Sequence, residues 1–362
     1  MEKEGESLSL ETIARVRRLI SEVFEIETVT IGKRGGPALL AQGRFVLPPE
    51  NAYRILAPQM KALGFTVMFR RVGGGESIWV VPGTLPTRVA PTKLNAVLLA
   101  LTLLSTLFVG TMMVSSDVSD FIYRPWLGLP FALSLLLILG AHELGHYFVA
   151  RRYGVPVSLP YFIPMPLGPF GTMGAFISMK APPPNRRALL AVAVVGPLSG
   201  FVLAVPILVI GLAMSPVTPL VPNGNVIMEG NSILYALLKI VTFGRFLPSG
   251  GEDVLLHPVA FAGWAGLLVT GLNLMPVGQL DGGHIVYALL GPKAHFLIYP
   301  VIGLGMVWNG WFLWALLILL FGRQYAAPLD DLTTLTSGQR LLGWAVVILF
   351  IMVFTPLPLT VY

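Results

Sequence analysis

The chain has no cysteine and few charged side chains. The absence of cysteine among its 362 residues excludes disulfide bonds and thiolate metal ligands. Charged residues make up only 12% of the chain and hydrophobic residues 55%, whereas soluble globular proteins carry about 25% charged residues. The formal net charge of +6 is typical of a membrane protein with basic cytoplasmic loops. We therefore expect an integral membrane protein with no nucleic-acid partner.

Residues 1–85 are predicted to form a small soluble α+β domain. Two segments repeat apolar residues at the spacing of amphipathic helices, and two others, rich in strand-forming residues, flank a glycine-rich turn. The helices are predicted at 11–26 and 48–64, and the strands of a hairpin at 65–71 and 77–83. The opening residues are acidic and polar, so we expect no cleavable signal peptide. Residues 86–94 are predicted to link this domain to the membrane.

Residues 95–362 are predicted to form a membrane-embedded domain. About 20 consecutive apolar residues cross a bilayer as a helix. Five segments approach that length: 95–114, 130–150, 188–214, 257–277 and 340–360. A further segment, 294–322, is long enough for one tilted span or for a hairpin broken at Asn309-Gly310. The sequence therefore predicts an α-helical polytopic membrane protein with about six spans.

The distribution of basic residues predicts the orientation of these spans. Positive charge favours the cytoplasmic side of a membrane. Basic residues precede the first predicted span and follow the second: Arg88, Lys93, Arg151 and Arg152. Loop 115–129 instead carries two aspartates and one arginine. The N-terminal domain and the end of the second span are therefore predicted to face the cytoplasm, in the cell membrane of a prokaryote or in an organelle membrane.

Segment 157–180 is apolar but cannot form a regular spanning helix. It contains four prolines and three glycines. Irregular backbone is tolerated at membrane depth only where protein or a water-filled cavity satisfies its polar groups. We expect a re-entrant, strand-like loop beside the cytoplasmic mouth, and the alternative is a loop on the membrane surface.

Two histidines and a glutamate lie at the end of the second predicted span, in the pattern HELGH at 142–146. Ionisable groups are costly inside a membrane, so such a cluster indicates a functional site. On a helix, His142 and His146 lie one turn apart on the same face and can bind one Zn²⁺ together. Glu143 beside them can accept a proton from water. The alternative is a chance match of this short pattern.

A catalytic zinc site usually takes three protein ligands. The chain has no acidic residue or histidine between Tyr147 and Glu229. Three acidic residues lie in polar loops that are predicted on the opposite side of the membrane: Glu229, Glu252 and Asp253. Asp281 differs, because it lies in NLMPVGQLDGGH at 273–284, where prolines and glycines would break an apolar helix at depth. Asp281 is therefore the predicted third ligand.

The segments AHELGHYFVA and NLMPVGQLDGG together resemble the site-2 protease family of zinc intramembrane metalloproteases. The resemblance covers about residues 95–290 and includes GTMGAFI at 171–177 and VVGPLSG at 194–200. It implies that zinc is bound by two histidines and one aspartate: His142, His146 and Asp281. It further implies that Glu143 is the general base and that Asn273 helps to hold the substrate carbonyl.

The resemblance also implies a function. The expected activity is zinc-dependent hydrolysis of peptide bonds in or near the transmembrane segments of membrane proteins. A multi-span metal-binding transporter is one alternative, because transporters also use broken helices; it gives no role to Glu143 and the chain shows no inverted repeat of the HELGH half. A membrane-anchored zincin that cleaves soluble peptides is another, and the lack of an acidic ligand soon after the motif disfavours it.

Overall fold

A computed structural model describes residues 9–32, 36–86, 89, 92–219, 227–297, 299–301, 303 and 327–361. The N-terminal part of the described chain is a four-stranded antiparallel sheet with two helices, and the remainder is mainly helical. The two parts have separate hydrophobic cores, one formed between the sheet and its helices and one between the apolar helices.

The N-terminal sheet has the strand order β1-β2-β4-β3. Its elements are α1 (Leu10–Ser21), β1 (Phe24–Ile31), β2 (Leu39–Phe45), α2 (Pro49–Ala62), β3 (Phe65–Val72) and β4 (Gly75–Pro82). The predicted hairpin is confirmed as β3 and β4, which pair in register across a turn at Gly73 and Gly74. The predicted second helix is confirmed as α2, and Gly64 follows it with a positive φ of 84°.

The predicted helix at 11–26 is wrong at its C-terminal end. Helix α1 ends at Ser21, and Phe24 begins β1, where it is buried in the sheet core. The first two strands of the sheet, β1 and β2, were not predicted. The residues after Ser21 form a strand that pairs with β2. The run at 26–31 is rich in threonine and isoleucine, which favour a strand over a helix.

In the described part of the chain, three helices are long and apolar enough to cross a membrane. They are α3 (Lys93–Val114), α5 (Leu129–Arg152), which continues a 3₁₀ turn at Pro125–Gly128, and α6 (Arg186–Ala213), with the short α4 (Asp120–Tyr123) between the first two. Among the described residues that follow, four further α-helices are α7 (Ile233–Phe243), α8 (Pro258–Asn273), α9 (Asp281–Leu290) and α10 (Ser337–Val353). Helices α5, α6 and α8 pack against one another around the main hydrophobic core.

The helices at two predicted spans are shorter than expected. The helix predicted at 257–277 ends at Asn273, because the chain turns ahead of Pro276, and the helix predicted at 340–360 ends at Val353. Helix α7 was not predicted, since its 11 residues fall well below the length of a span. Most of the predicted span at 294–322, including Asn309-Gly310, lies outside the described residues.

Segment 157–180 forms an antiparallel β-hairpin, as the strand-like prediction expected. Its strands are β5 (Tyr161–Pro164) and β6 (Thr172–Phe176). The pairing continues towards the base of the hairpin, where Val157 lies opposite Met179 and the Lys180 amide donates to the Pro156 carbonyl at 2.8 Å.

Helix α3 holds both ends of this hairpin. The Asn95 side chain donates to the carbonyls of Leu159 and Pro160 at 3.0 and 3.1 Å, and the Ser105 hydroxyl donates to the Gly171 carbonyl at 2.5 Å. Gly171 has a φ of 68°, and a Cβ there would lie 2.7 Å from the Ser105 carbonyl oxygen. The hairpin is therefore fixed against α3 at its start and near its tip.

Two small sheets lie beyond the C-terminal end of α6. They pair β7 (Val217–Pro219) with β9 (Glu252–Val254), and β8 (Ile227–Glu229) with β10 (Leu359–Val361). Helix α7 lies beside them and contributes Lys239, whose buried ammonium lies 3.6 Å from Glu229 and 3.7 Å from Asp253. These sheets are at the opposite end of α6 from its first turns.

Candidate metal centre

Helix α5 places His142 and His146 on the same face, as their spacing predicts. Both side chains are buried, and their Nε2 atoms lie 3.2 Å apart. The helix is able to run through this point because apolar residues flank the HELGH motif on both sides. Two histidines are thereby brought into the interior of the helical part of the protein.

The third predicted ligand comes from the break between α8 and α9. Asp281 is the first residue of α9, and its Oδ2 lies 3.3 Å from His142 Nε2 and 3.2 Å from His146 Nε2. The break depends on small residues, because a Cβ at Gly282 would lie 1.9 Å from the Leu274 carbonyl oxygen. The Asp-Gly-Gly sequence therefore lets the chain turn back closely enough to deliver the carboxylate.

The three ligand atoms fit a zinc ion. They form a triangle with sides of 3.2, 3.2 and 3.3 Å. Nitrogen and oxygen ligands at about 2.0–2.1 Å from a tetrahedral metal lie about 3.3–3.4 Å from each other. The donor set of two imidazoles and one carboxylate is one that zinc accepts, and a cavity of about 200 Å³ adjoins the triangle and leaves room for water or substrate.

Helix α6 orients His146. The imidazole Nδ1 of His146 donates to the Val192 carbonyl at 2.8 Å, which leaves Nε2 free to bind a metal. Gly196, one turn further along α6, lies directly against the ring, since a Cβ there would be 2.0 Å from His146 Nε2. Neither Val192 nor Gly196 was predicted to be part of the site. Gly196 lies in the segment VVGPLSG at 194–200, which belongs to the family resemblance and could have indicated it.

Glu143 and Asn273 lie at the same cavity as the triangle. The Glu143 side chain is buried, and Ile177, just beyond β6, lines the same cavity. Asn273 ends α8, and its Nδ2 lies 3.3 Å from His142 Nε2. The structure thus brings all five predicted site residues together, and the buried His284 lines the cavity as well.

The other acidic residues considered as ligands lie elsewhere. Glu229 and Asp253 flank Lys239 in the small sheets beyond the far end of α6. Glu252 forms an ion pair with Arg245 at 2.5 Å. Within the described part of the chain, the only group of three histidines and acidic residues with the spacing of a metal site is the one at His142, His146 and Asp281.

The fold and this site define a class of protein. Two histidines one helical turn apart, a glutamate between them and an aspartate from a second apolar segment are the parts of a membrane-embedded metallopeptidase domain. Residues 130–297, which include every predicted site residue, match the model of peptidase family M50. These residues are therefore similar to that family, the family of site-2 proteases, and the resemblance seen in the two motifs is confirmed.

Relatives with similar sequences carry zinc in their names. The protein named probable zinc metalloprotease EGY2, chloroplastic, of Arabidopsis thaliana is 34% identical over 239 residues, which cover 64% of this chain and 42% of that protein. Probable zinc metalloprotease EGY1, chloroplastic, of the same plant is 33% identical over 239 residues, or 63% and 43% of the two chains. Zinc is the metal in these names, and His142, His146 and Asp281 form a group that could hold such an ion.

The similarity to these relatives is partial. The protein named probable zinc metalloprotease EGY3, chloroplastic, of Oryza sativa subsp. indica is 29% identical over 261 residues, which again cover 64% of this chain and 42% of that protein. The chain therefore spans about two-fifths of the length of the relatives that it matches. No solved structure matches the chain.

Proposed function

We propose that this protein is a zinc-dependent intramembrane endopeptidase that hydrolyses peptide bonds in or near the transmembrane segments of other membrane proteins. The observation that carries the proposal is the ligand triangle itself, with Glu143 at the same cavity and at the end of an apolar helix. A transporter has no use for an acid–base group between two metal ligands. The match of residues 130–297 to peptidase family M50 supports the same conclusion.

The mechanism assigns one task to each residue of the site. His142, His146 and Asp281 would hold the zinc ion, which would supply a Lewis acid for the scissile carbonyl and for the attacking water. Glu143 accepts the proton of the attacking water on its carboxylate and then donates it to the leaving amine. The Asn273 amide, beside His142, donates a hydrogen bond to the carbonyl oxygen of the substrate. The surrounding helices keep bulk water away from these groups.

Removal of the metal tests this proposal. The protein is reconstituted in lipid vesicles with a single-span reporter substrate, depleted with a chelator and then supplied again with zinc. We expect cleavage to stop on depletion and to return with about one zinc per chain. Cleavage of soluble peptides but of no membrane-anchored reporter would favour the membrane-anchored zincin, and zinc movement across the vesicle without any cleavage would favour the transporter.

The β-hairpin is proposed to present the substrate to the site. A transmembrane helix hides its carbonyl groups in hydrogen bonds to its own amides, so it must be unwound before hydrolysis. The Ser178 carbonyl accepts a hydrogen bond from within the hairpin, from the Ser158 amide. Because the backbone amides of successive residues in a strand point to opposite edges, the amides of Ile177 and Ala175 point to the other edge, and both residues line the cavity that contains Glu143. An extended substrate can add to that edge as a further strand.

Proline at Ala175 tests this edge. The substitution removes one amide donor from the edge that faces Glu143. We expect Ala175→Pro to lose most cleavage of a membrane-anchored reporter while it keeps its zinc, measured by metal analysis of the purified protein. Phe176→Leu is the matched control, because it keeps both the donor and an apolar side chain, and we expect it to stay active. Normal cleavage by Ala175→Pro and by Phe176→Pro, in folded and zinc-loaded protein, would contradict the proposal.

The proposed topology has about six spans, a re-entrant hairpin and a cytoplasmic N-terminal domain. Three long apolar helices and the shorter α8 and α10 support a multi-pass arrangement, and the excess of basic residues supports the orientation. The membrane is that of a prokaryotic cell or of an organelle. We expect a reporter fused after residue 85 to register on the cytoplasmic side and one inserted in loop 115–129 to register on the opposite side. The reverse pattern would overturn the orientation.

A further inference from the structure

A second cavity, of about 250 Å³, lies between the N-terminal sheet domain and the membrane helices. Its walls come from α2 and β3 on one side, and from the turn after α5 and residues 181–184 on the other. Tyr53 of α2 and Tyr153, which follows α5, both line it, and Lys61 is the one charged residue among the described residues that do so. The site proposed above makes no use of this cavity.

The cavity is built on a rigid frame. The Leu329 carbonyl accepts from the Phe69 amide at 2.9 Å and from the Arg70 guanidinium at 2.9 Å, and the Leu329 amide donates to the Pro183 carbonyl at 2.9 Å. The segment around Leu329 therefore joins β3 to the residues that precede α6. A 2.6 Å ion pair between Glu50 and Arg187 adds a second connection between the same two parts.

The walls of this cavity are largely apolar. The Tyr53 ring packs edge-on against Phe69 with centroids 5.3 Å apart. Burial, and the nearby Asp330, raise the pKa of Tyr53, so its hydroxyl stays neutral. Prolines form much of the opposite wall, Pro156 and Pro182 among them. Flat, preformed apolar walls of this kind suit a large apolar or aromatic side chain.

The base of the β-hairpin connects this cavity to the metal centre. The cavity at the metal centre is lined by Ile177 and Met179. The chain then continues to Ala181 and Pro182, which line the second cavity. Four residues of extended chain cover about 13 Å. A substrate strand that lies along Ala175 and Ile177 and continues past Met179 therefore reaches the second cavity within about four of its own residues.

We propose that this cavity is a substrate subsite for the juxtamembrane residues on the side of the N-terminal domain, and that it takes a large apolar or aromatic side chain next to an acidic one. The inference rests on the proposed function. The apolar walls select the first side chain, and Lys61 at the rim selects the second by charge. The N-terminal domain thereby becomes part of the specificity of the protease.

A photoreactive peptide tests the subsite without any catalysis. The probe is a hexapeptide with benzoylphenylalanine next to aspartate, applied to the full chain in lipid nanodiscs, and the labelled residues are mapped by mass spectrometry. We expect labelling within α2 or residues 181–184. A competing peptide with Phe-Asp should inhibit this labelling at about one-tenth of the concentration that a peptide with Ser-Asp requires. The difference is expected because only the phenylalanine side chain gains free energy from burial in an apolar cavity. Labelling elsewhere, or competition by a long-chain fatty acid but not by Phe-Asp, would overturn the inference.

Two variants and a control sharpen the test. Ala57 is half-buried and lines the cavity. Ala57→Trp would therefore place a large side chain in the cavity, and we expect it to reduce labelling about tenfold. Arg54→Trp makes a change of similar size on the exposed face of α2 and should leave labelling unchanged. Lys61 is exposed, and Lys61→Glu reverses the charge at the rim of the cavity. In this variant a peptide with Phe-Lys should compete with the probe better than a peptide with Phe-Asp. Equal labelling of all three variants and of the wild type would contradict the proposal.

The subsite and the protease can fail separately. A membrane-anchored reporter with a juxtamembrane Phe-Asp should be cleaved with about tenfold higher kcat/KM than one with Ser-Ser, and Ala57→Trp should abolish that difference. If wild type cleaves both reporters equally and depends on Glu143, the subsite is wrong and the protease stands. If the probe labels the cavity but no reporter is cleaved, the proposed function is wrong.

Discussion

Glu143→Gln should stop proteolysis and leave zinc in place. Glutamine has nearly the same shape as glutamate but cannot accept and return a proton, and general acid–base catalysis contributes about 10²–10⁴-fold in rate. We therefore expect cleavage of a membrane-anchored reporter to fall at least about 100-fold. Zinc content should match that of the wild type, because Glu143 lies outside the ligand triangle. A rate close to that of the wild type would show that another group is the base.

Asp281→Asn is the matched variant at a ligand. A neutral amide is a poorer ligand for Zn²⁺ than a carboxylate, so this variant should lose zinc and activity together. The contrast between the two substitutions separates proton transfer from metal binding. Full zinc occupancy with unchanged cleavage in Asp281→Asn would mean that the carboxylate is not a ligand.

Gly196→Ala should have an effect as large as the loss of a ligand, although Gly196 binds nothing itself. The new methyl group would lie 2.0 Å from His146 Nε2 and 2.3 Å from its Cδ2, which is closer than atoms can approach. The ring would have to leave the Val192 carbonyl that orients it. Changes in the groups that orient a ligand typically weaken metal affinity by about 10–100-fold, and we expect a loss in that range. Zinc titration of the purified variant measures it.

Gly140→Ala is the control for this substitution. Gly140 lies in α5, two residues before His142, and in the described part of the chain no heavy atom lies within 4 Å of the Cβ it would gain. We expect normal zinc affinity and normal cleavage. If Gly196→Ala binds zinc as tightly as Gly140→Ala, the close contact with His146 is not present in the metal-loaded protein.

The sequence could predict the residues of the site better than their surroundings. His142, Glu143 and His146 are fixed by the spacing of one helix. Asp281 could be inferred because few acidic residues lie in the apolar part of the chain. Val192 meets His146 through the packing of α6 on α5, a contact between residues 46 apart. No periodicity within one segment reports such a contact, so its role needed the structure.

The fold was predicted where one strong signal dominated. Long apolar runs gave α3, α5 and α6 to within a few residues. The 11-residue helix α7 is too short to be found by a search for spans. Strands β1 and β2 were missed although a glycine-rich stretch, GKRGG, separates their sequences. The pairing of these two strands is distributed over many residues, so no short motif indicates it. The apolar residues just before β1 have helical spacing, and this spacing led to the prediction of one helix over 11–26.

Asp331 has a consequence for how a transmembrane substrate can enter. Its carboxylate lies 3.1 Å from the Arg186 guanidinium, at the start of α6, and accepts from the Tyr287 hydroxyl on α9 at 3.0 Å. Parting these helices would strand a buried charge, at a cost of about 3–5 kcal/mol. This ion pair and hydrogen bond therefore hold α6, α9 and the segment around Asp331 together, which disfavours entry of a substrate between α6 and α9.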